Sequence, residues 1–424
     1  MKETVRALML TCCLSAISVC AQVVVDVSGA MRAAQPIAVL PIQGDPGVKM
    51  EFIIASDLHK TGLFQPVAPE QIRNRPNSPA EIDYAEFSGL GASYVALGRT
   101  LDANGSSAQF VLTQVANKKV IFNEQVSSVD ARATAHLAAD LILQRLTGVQ
   151  GAFSSKVAYV LEQANAKGRL YSLIISDFDG ANRQVVYSSA MPIVSPSWSR
   201  DGRQIAFMTY ARNHAQLVIQ DVASGSRRVV AEFEGTASSP SWSPEGRQLA
   251  ISRADEQGNM DIYLLDLASG AQQRITNHAA IDTEPEFSPD GRFIYFTSDR
   301  AGNPQIYRMD RSGGNVNRAV VGGNYSTSSE LSPDGQSMVL TRQSGGGYQI
   351  GLYQLGSGSF QALTNGRLDE GATFSPNGQM IMYTATEGGR TVIKMINLKG
   401  GVTQTLSDPS GRLRDPAWGP SLVR

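Results

Sequence analysis

The four histidines are the first side chains from which a metal or catalytic site could be built. His59, His136, His214 and His278 are spread over the chain, and no two of them have the spacing of a metal-ligand pair. Each is therefore expected to be a surface histidine or a packing histidine. No metal site and no cofactor are predicted.

Three short acidic or glycine-rich segments resemble parts of known sites, but each lacks something the chemistry needs. Asp177-Phe-Asp179-Gly begins like a calcium loop without the closing glutamate, so a hairpin turn is the favoured interpretation. Gly345-Gly-Gly347 lacks the lysine and hydroxyl residue of a phosphate loop. Asp369 and Glu370 are adjacent in a loop, whereas acid/base catalysis needs facing carboxylates.

A serine hydrolase of the α/β type would need a Gly-x-Ser-x-Gly nucleophile elbow, and the sequence contains none. The chain has 37 Lys and Arg residues against 38 Asp and Glu, so bulk charge selects neither nucleic acid nor anionic lipid as a partner. These observations favour a binding protein over an enzyme.

The first residues read as an export signal. Lys2 and Arg6 form a basic start, an apolar stretch follows to Val19, and Val19-Cys20-Ala21 is a small-residue cleavage pattern, so we expect cleavage after about Ala21. Lipidation of Cys20 is the alternative, which the bulky Val19 disfavours. No later stretch approaches the roughly 20 apolar residues that span a bilayer. A periplasmic or extracellular protein without a transmembrane segment in its mature form is predicted.

All three cysteines, Cys12, Cys13 and Cys20, fall inside this signal, so the mature chain is expected to form no disulfide. Its 40 glycines and 19 prolines suit many short strands joined by tight turns. The expected class is mainly β.

A repeat organises the second part of the chain. Each copy carries an apolar anchor followed by a turn such as Ser-Pro-Asp-Gly, in which proline fixes φ and glycine accepts a positive φ. The anchors are Trp198, Trp242, Phe287, Leu331, Phe374 and Trp418. They are 43 to 45 residues apart, the period of one four-stranded propeller blade.

The two ends of the repeat region complement each other. Residues 153 to 190 contain three strands without an anchored strand before them, and Asp415-Pro-Ala-Trp418 is an anchored strand with little after it. Pairing them would leave no open sheet edge. The prediction is a six-bladed β-propeller closed by the C-terminal strand.

Residues 22 to about 150 lack the repeat and predict an α/β domain. Strands are expected at 37–42, 64–67, 93–101, 109–115 and 120–126, with helices at 51–60, 82–90 and 130–146. Leu137, Ala138, Leu141 and Ile142 are expected on the apolar face of the last helix, and Gly148 at its C-terminal cap.

The order of signal, α/β domain and six-unit propeller resembles the TolB family of periplasmic Tol-Pal components. Specific segments carry the resemblance: Asp221-Val-Ala-Ser-Gly, Asp266-Leu-Ala-Ser-Gly, Asp282-Thr-Glu-Pro285, Thr297-Ser-Asp-Arg300 and Pro416-Ala-Trp-Gly-Pro. The chain departs from the family pattern at Arg200, Leu331 and Gly419, which puts local blade geometry in question. The signal, the repeat and, for the arm, the resemblance predict the domain boundaries 1–21 (signal), 22–35 (arm), 36–150 (α/β) and 151–424 (propeller).

The resemblance also implies a role in binding. Family members link inner-membrane Tol proteins to the lipoprotein Pal, supporting outer-membrane integrity and its constriction during cell division. Some colicins use the same propeller face, and other outer-membrane proteins are further candidate partners. The matching Pal-binding positions are Thr236, Ser239, Thr283, Glu284, Ser328 and Ser329, and the matching TolA-binding arm is Gln22, Val23, Val24, Val25, Asp26 and Val27.

Two other functions stay open on the sequence. An exported propeller hydrolase or lactonase would carry convergent carboxylates or a metal in its channel. A free-standing scaffold would bind unrelated envelope proteins and would not need the arm. The polar residues at the six Pal-binding positions could also merely solvate loops and cap turns.

Overall fold

The computed structural model describes residues 34–166, 168–212, 214–398 and 402–421. The predicted signal peptide and the predicted arm residues Gln22 to Val27 lie outside the described residues. Gln35, the last residue of the predicted arm segment, is the first residue of a strand.

The N-terminal α/β domain is a five-stranded mixed sheet with three α-helices. Its elements are β1 (Gln35–Val39), α1 (Met50–Lys60), β2 (Phe64–Pro66), α2 (Tyr84–Gly89), β3 (Tyr94–Thr100), β4 (Ser107–Gln114), β5 (Lys119–Ser127) and α3 (Ala131–Thr147). Short 3₁₀ turns at Pro69–Gln71 and Pro79–Glu81 precede α2. The strand order is β2-β1-β3-β4-β5, with β1 parallel to β2 and β3 and the remaining pairs antiparallel.

Alternation along β1 explains how the helices are placed. Ile37 and Val39 belong to the core that contains α1 and α3, whereas Ala38 and Leu40 pack with Phe87 of α2 on the other face. Successive strand residues point to opposite faces, so both faces of β1 must be covered. Every predicted strand and helix of this domain is confirmed to within a few residues at its ends.

Helix α3 begins and ends as its sequence predicts. The Asp130 side chain accepts the Ala133 N–H at its N-terminus, and Gly148 closes its C-terminus at φ 76°. The prediction that Ala138 and Ile142 lie on its apolar face is confirmed, because both are buried. Leu137 and Leu141 are only half-buried, because the helix turns a strip of small residues toward α1 and the propeller instead.

Six four-stranded antiparallel sheets form the propeller, and we number them as blades 1 to 6. Blade 1 comprises β6 (Lys156–Asn165), β7 (Gly168–Asp177), β8 (Gln184–Ser189) and the C-terminal β29 (Gly411–Trp418). Strand β29 pairs with β6 along its length, in the sheet order β29-β6-β7-β8. The predicted closure by the C-terminal strand is therefore confirmed.

The other blades follow the chain in order, innermost strand first. Blade 2 is β9 (Val194–Trp198), β10 (Gln204–Ala211), β11 (His214–Asp221) and β12 (Arg227–Glu234); blade 3 is β13 (Ala237–Trp242), β14 (Gln248–Ala254), β15 (Met260–Asp266) and β16 (Gln272–Arg274). Blade 4 is β17 (Asp282–Phe287), β18 (Phe293–Ser298), β19 (Gln305–Asp310) and β20 (Asn317–Arg318); blade 5 is β21 (Ser326–Leu331), β22 (Ser337–Ser344), β23 (Gly347–Gln354) and β24 (Phe360–Ala362). Blade 6 is β25 (Asp369–Phe374), β26 (Met380–Glu387), β27 (Arg390–Asn397) and β28 (Val402–Leu406).

The anchors of the repeat pack between neighbouring blades, as predicted. Trp242 of blade 3 lies in one core with residues of blade 2, and Phe287 of blade 4 lies in one core with residues of blade 3. Leu331 fills the same position between blades 4 and 5 with only 6% exposure, so an aliphatic anchor leaves the blade geometry unchanged.

Gly419 and Arg200 also keep the blade geometry. A Cβ on Gly419 would lie 2.9 Å from the Lys156 carbonyl oxygen and 3.1 Å from the Trp198 ring, so glycine allows the tryptophan to approach the closing strand. Arg200 is exposed at its turn, and its guanidinium reaches the Pro289 carbonyl oxygen at 3.5 Å.

One continuous core joins the α/β domain to the propeller. It contains residues of α1 and α3 together with residues of blades 1 and 6. Phe178, in the β7–β8 turn, is fully buried there and stacks on Trp418 at 6.3 Å between ring centroids. In the part of the chain that the structure describes, no helix is long and apolar enough to cross a membrane.

Candidate functional site

A ring of residues with a left-handed backbone conformation surrounds one mouth of the central channel. We call this opening the upper mouth. Each blade contributes the residue three positions before its anchor: Ser195, Ser239, Glu284, Ser328, Gly371 and Asp415, with φ between 50° and 61°. Each lies where the innermost strand bulges out of register with its neighbour. We call these six residues the upper ring.

A left-handed backbone costs non-glycine residues on the order of 1 kcal/mol each, and such residues cluster at binding and catalytic sites. Five of the six upper-ring residues are not glycine. All six line a channel of about 690 Å³ that runs along the propeller axis. The repetition of a costly conformation around one opening makes the upper mouth the candidate functional site.

The structure brings together four of the six predicted Pal-binding residues. Ser239, Glu284, Ser328 and Ser329 all line the channel. Thr236 does not line it but lies exposed immediately before β13, and Thr283 lies half-buried in β17, paired with Thr297.

Glu284 is held by bonds between blades 4 and 5. Its Oε2 accepts from the Ser328 N–H and the Thr297 hydroxyl, each at 2.7 Å, and its Oε1 accepts from the Ser328 hydroxyl at 2.7 Å. The carboxylate therefore has a structural role in the upper ring, whether or not a partner contacts it. Asp415 makes a similar link, since its Oδ2 accepts from the Ser195 N–H at 3.4 Å.

Below the upper ring, a second tier of hydrogen bonds joins every blade to the next. Two are tryptophan N–H groups that donate to backbone oxygens of the preceding blade, and four are anchor N–H groups that donate to side chains of the preceding blade. The pairs are Trp198–Ala417, Trp242–Ser197, Phe287–Ser241, Leu331–Glu286, Phe374–Glu330 and Trp418–Thr373. We call this set the interblade tier.

Two members of the interblade tier are glutamates inside the channel. Burial raises the pKa of Glu330 to about 7, although the Phe374 N–H and the Thr373 hydroxyl both bond its carboxyl group. Burial and the nearby Glu330 raise the pKa of Glu286 well above its ordinary value. Ionising these groups at neutral pH therefore works against folding.

This leads to a pH-dependent prediction for Glu330→Gln. The folded-state pKa of Glu330 lies above the unfolded value, so the wild-type free energy of unfolding should fall as pH rises from about 5 to 8. Glutamine can accept the same Phe374 N–H without a charge, so the variant should lose part of this fall and be the more stable protein at pH 8. Urea unfolding at pH 5, 6, 7 and 8 measures both effects.

Glu234→Gln is the matched control, because Glu234 is exposed on the outer strand β12 and should leave the pH profile unchanged. A Glu330→Gln variant with the wild-type pH profile would contradict the assignment.

The histidines are surface or packing residues, as predicted, but one of them belongs to a charged cluster that the sequence did not predict. His59, His214 and His278 are exposed, whereas His136 is 2% exposed and is a packing histidine. One ligand atom each of His136, Asp177 and Asp179 lie within 4.8 Å of one another. However, Arg132 bonds both aspartates and Lys156 bonds Asp177. We therefore assign the cluster to ion pairing and not to metal binding.

The segment Asp177-Phe-Asp179-Gly is the predicted hairpin turn. Gly180 has φ 85° and donates its N–H to the Asp177 carbonyl oxygen at 2.9 Å, between β7 and β8.

Sequence reasoning missed Ser195, Gly371 and Asp415 as members of the candidate site. The signal was present, because each stands three residues before its anchor, as Ser239, Glu284 and Ser328 do.

Comparison with known proteins extends these observations. A family model described as the TolB beta propeller domain matches residues 143–422, and one described as the TolB amino-terminal domain matches residues 23–121. A "Tol-Pal system protein TolB" from Thioalkalivibrio sulfidiphilus is 36% identical over 226 residues, covering 51% of this chain and 52% of that relative. One from Xylella fastidiosa is 38% identical over 202 residues, covering 46% of each.

These alignments mean that the chain spans about half the length of the curated relatives it matches. The crystal structure of TolB from Acinetobacter baumannii is similar over 91% of this chain and 97% of that chain, with a TM-score of 0.84 and 34% identity. The propeller-domain model alone covers well over half of the 424 residues, and the chain therefore belongs to the TolB family.

Proposed function

We propose that this chain is the periplasmic binding component of a Tol-Pal system, which binds Pal at the upper mouth of the propeller and TolA through residues 22–27. In this role it links inner-membrane Tol proteins to Pal and supports outer-membrane integrity and constriction at division. The observation that carries the proposal is the upper ring, a repeated left-handed conformation around one opening of a TolB-family propeller.

The residues around the upper mouth are suited to protein recognition. Met191, Ile281 and Leu368, which precede the innermost strands of blades 2, 4 and 6, are 40 to 51% exposed. Tyr325 and Tyr348 form an edge-to-face pair at 5.5 Å beside the start of blade 5. Apolar and aromatic side chains beside polar ring residues are typical of protein interfaces.

The proposed domain boundaries are 1–21, 22–35, 36–150 and 151–424, with export to the periplasm and cleavage after about Ala21. The alternating apolar residues of the proposed arm could add a strand to the edge of a TolA sheet. Removing residues 22–27 should abolish binding to TolA and leave binding to Pal, which a pull-down with each partner would measure.

The Pal site is tested by Thr236→Arg. Thr236 is exposed at the upper mouth, and its backbone oxygen, which accepts the Ala254 N–H, is retained in the variant. A bulky charged side chain there should weaken Pal binding at least about tenfold, because it would hold the partner away from the rim of the upper mouth. Surface plasmon resonance with immobilised Pal measures the change.

Gln336→Arg is the control, since Gln336 is exposed in the turn at the opposite end of its innermost strand. Equal affinity of the two variants would move the Pal site away from the upper mouth. Weakening by Thr236→Arg alone supports the proposed position.

Catalysis is the alternative function, and we propose that the chain is not an enzyme. The channel carboxyls Glu286 and Glu330 each accept an interblade N–H, which is a structural use of both groups. A hydrolase or lactonase that used these carboxyls would turn over a substrate as the wild type, and would lose that turnover without unfolding when both glutamates were replaced by glutamine. A substrate panel run on the wild type and the double variant tests this, and we expect turnover from neither protein.

A further inference from the structure

A partly buried cluster of charged residues lies where the α/β domain meets blade 1. Helix α1 contributes Asp57 and Lys60, α3 contributes Arg132, His136 and Asp140, and blade 1 contributes Lys156, Asp177 and Asp179. Arg132 bonds Asp177 at 3.2 Å and also bonds Asp179, so the ion pairs cross from one domain to the other. We call this set the junction cluster.

The junction cluster is short of one positive charge. It contains four carboxylates, Asp57, Asp140, Asp177 and Asp179, and three permanent cations, Lys60, Arg132 and Lys156. Asp57 and Asp177 are 0% and 6% exposed, and buried charges are stable only when they are balanced. A proton bound within the cluster would supply the missing charge.

His136 is placed to carry that proton. Its Nδ1 lies 2.5 Å from Asp57 Oδ2 in α1, and its Nε2 faces Asp179 Oδ2 of blade 1 at 3.9 Å. Nε2 is buried and has no hydrogen-bond partner among the described residues. Its ring also meets the Phe178 ring of blade 1 edge-on at 5.4 Å, so His136 contacts the propeller by shape as well as charge.

We propose that His136 is a proton-dependent latch between the α/β domain and the propeller, in which the imidazolium bridges Asp57 of α1 and Asp179 of blade 1. With the proton, both ring nitrogens donate toward carboxylates of different domains. Without it, Nε2 loses its proton and its attraction to Asp179, and the junction cluster carries an unbalanced negative charge.

The direction of the pH effect follows from the surroundings of His136. Burial and, more weakly, the Arg132 guanidinium disfavour the charged imidazole, but Asp57 and then Asp179 outweigh them, so the pKa of His136 lies above its ordinary value of 6.5. A folded-state pKa above the unfolded value means that the latch stabilises fully below about pH 6.5 and is lost as pH rises through the folded-state pKa.

Asp140, one turn further along α3, also has a pKa above its ordinary value, so it too binds a proton more readily in the folded protein. Burial raises the pKa of Asp140 to about 6, with a smaller contribution from Asp57, while the Phe153 and Ser154 N–H groups bond its carboxyl group. It is therefore the second group of the junction cluster that takes up a proton when the pH falls.

NMR titration of the histidines in the whole mature chain tests the latch. His136 should titrate above pH 6.5 and should be the signal that disappears in His136→Gln. Asp179→Asn removes a charge on the propeller side only, and should lower the pKa of His136 by about one unit. The urea midpoint should fall between pH 6 and 8 in the wild type, and should fall less in Asp179→Asn.

Asp310→Asn, at the end of β19 just before the corresponding hairpin turn of blade 4, is the control and should leave the pKa of His136 unchanged. The proposal is overturned if His136 titrates at or below pH 6.5, or if Asp179→Asn does not lower its pKa. Because the wild-type titration and Asp179→Asn decide the matter, the test stands even if His136→Gln fails to fold.

Discussion

Replacing Phe178 with alanine is expected to lower the free energy of unfolding by about 3 to 5 kcal/mol, the usual cost of removing a fully buried aromatic ring. Phe178 is 0% exposed, and its ring contacts three other aromatic rings: His136 of α3, Phe153 between α3 and β6, and Trp418 of the closing strand. The Lys60 ammonium group also lies 4.8 Å from its centroid. One substitution therefore removes packing from both domains and from the seam of the propeller.

Urea or thermal unfolding of Phe178→Ala measures this loss. Phe52→Ala is the control, because Phe52 is 50% exposed on α1 and its removal should change stability by no more than about 0.5 kcal/mol. Similar losses for the two variants would show that the α/β domain and the propeller do not share a core at Phe178.

Asp57→Asn is expected to cost about 3 kcal/mol, because it removes one member of a buried ion pair while its partners remain. Asp57 is 0% exposed, and its carboxylate contacts the His136 imidazole at 2.5 Å and the Lys60 ammonium at 3.3 Å. Asparagine keeps the shape of the side chain but leaves Lys60 without its countercharge. Equilibrium urea unfolding at pH 7 gives the loss directly.

Glu387→Gln provides the comparison for Asp57→Asn. Glu387 pairs with Lys394 at 3.1 Å on the surface, where an ion pair contributes no more than about 1 kcal/mol. If Asp57→Asn cost as little as Glu387→Gln, the ion pairs of the junction cluster would contribute no more than a surface pair, which would contradict a latch at His136.

The propeller was predictable because each blade repeats the same physical solution. The apolar anchor must pack on the neighbouring blade, and the turn after it must reverse the chain, so both leave marks at a fixed spacing. The unpaired anchored strand at Trp418 then required a partner, and β6 supplies it. Substitution of Leu331 for an aromatic anchor did not change this, because the position requires burial and not aromaticity.

The candidate site was predictable only in part. Resemblance located Ser239, Glu284 and Ser328, and the anchor spacing would also have located Asp415. Neither the resemblance nor the anchor spacing shows that the Glu284 carboxylate bonds Ser328 of the next blade, because that contact joins residues 44 positions apart. The structural role of Glu284 therefore emerges only from the assembled ring.

The junction cluster could not be predicted from the sequence at all. Asp57, His136 and Asp179 come from three separate elements, and the one motif among them, Asp177-Phe-Asp179-Gly, indicates only a hairpin turn. Their meeting depends on how α1 and α3 pack on blade 1, which is a property of the interface between the domains. Such tertiary contacts between distant residues carry no local sequence pattern.

Calorimetric titration of the purified mature protein with the soluble domain of Pal tests the central claim most directly. We predict saturable binding with a stoichiometry near one, since each chain has one upper mouth. Absence of any heat of binding to the cognate Pal would contradict the proposed function, and attention would then return to the channel as a possible catalytic site.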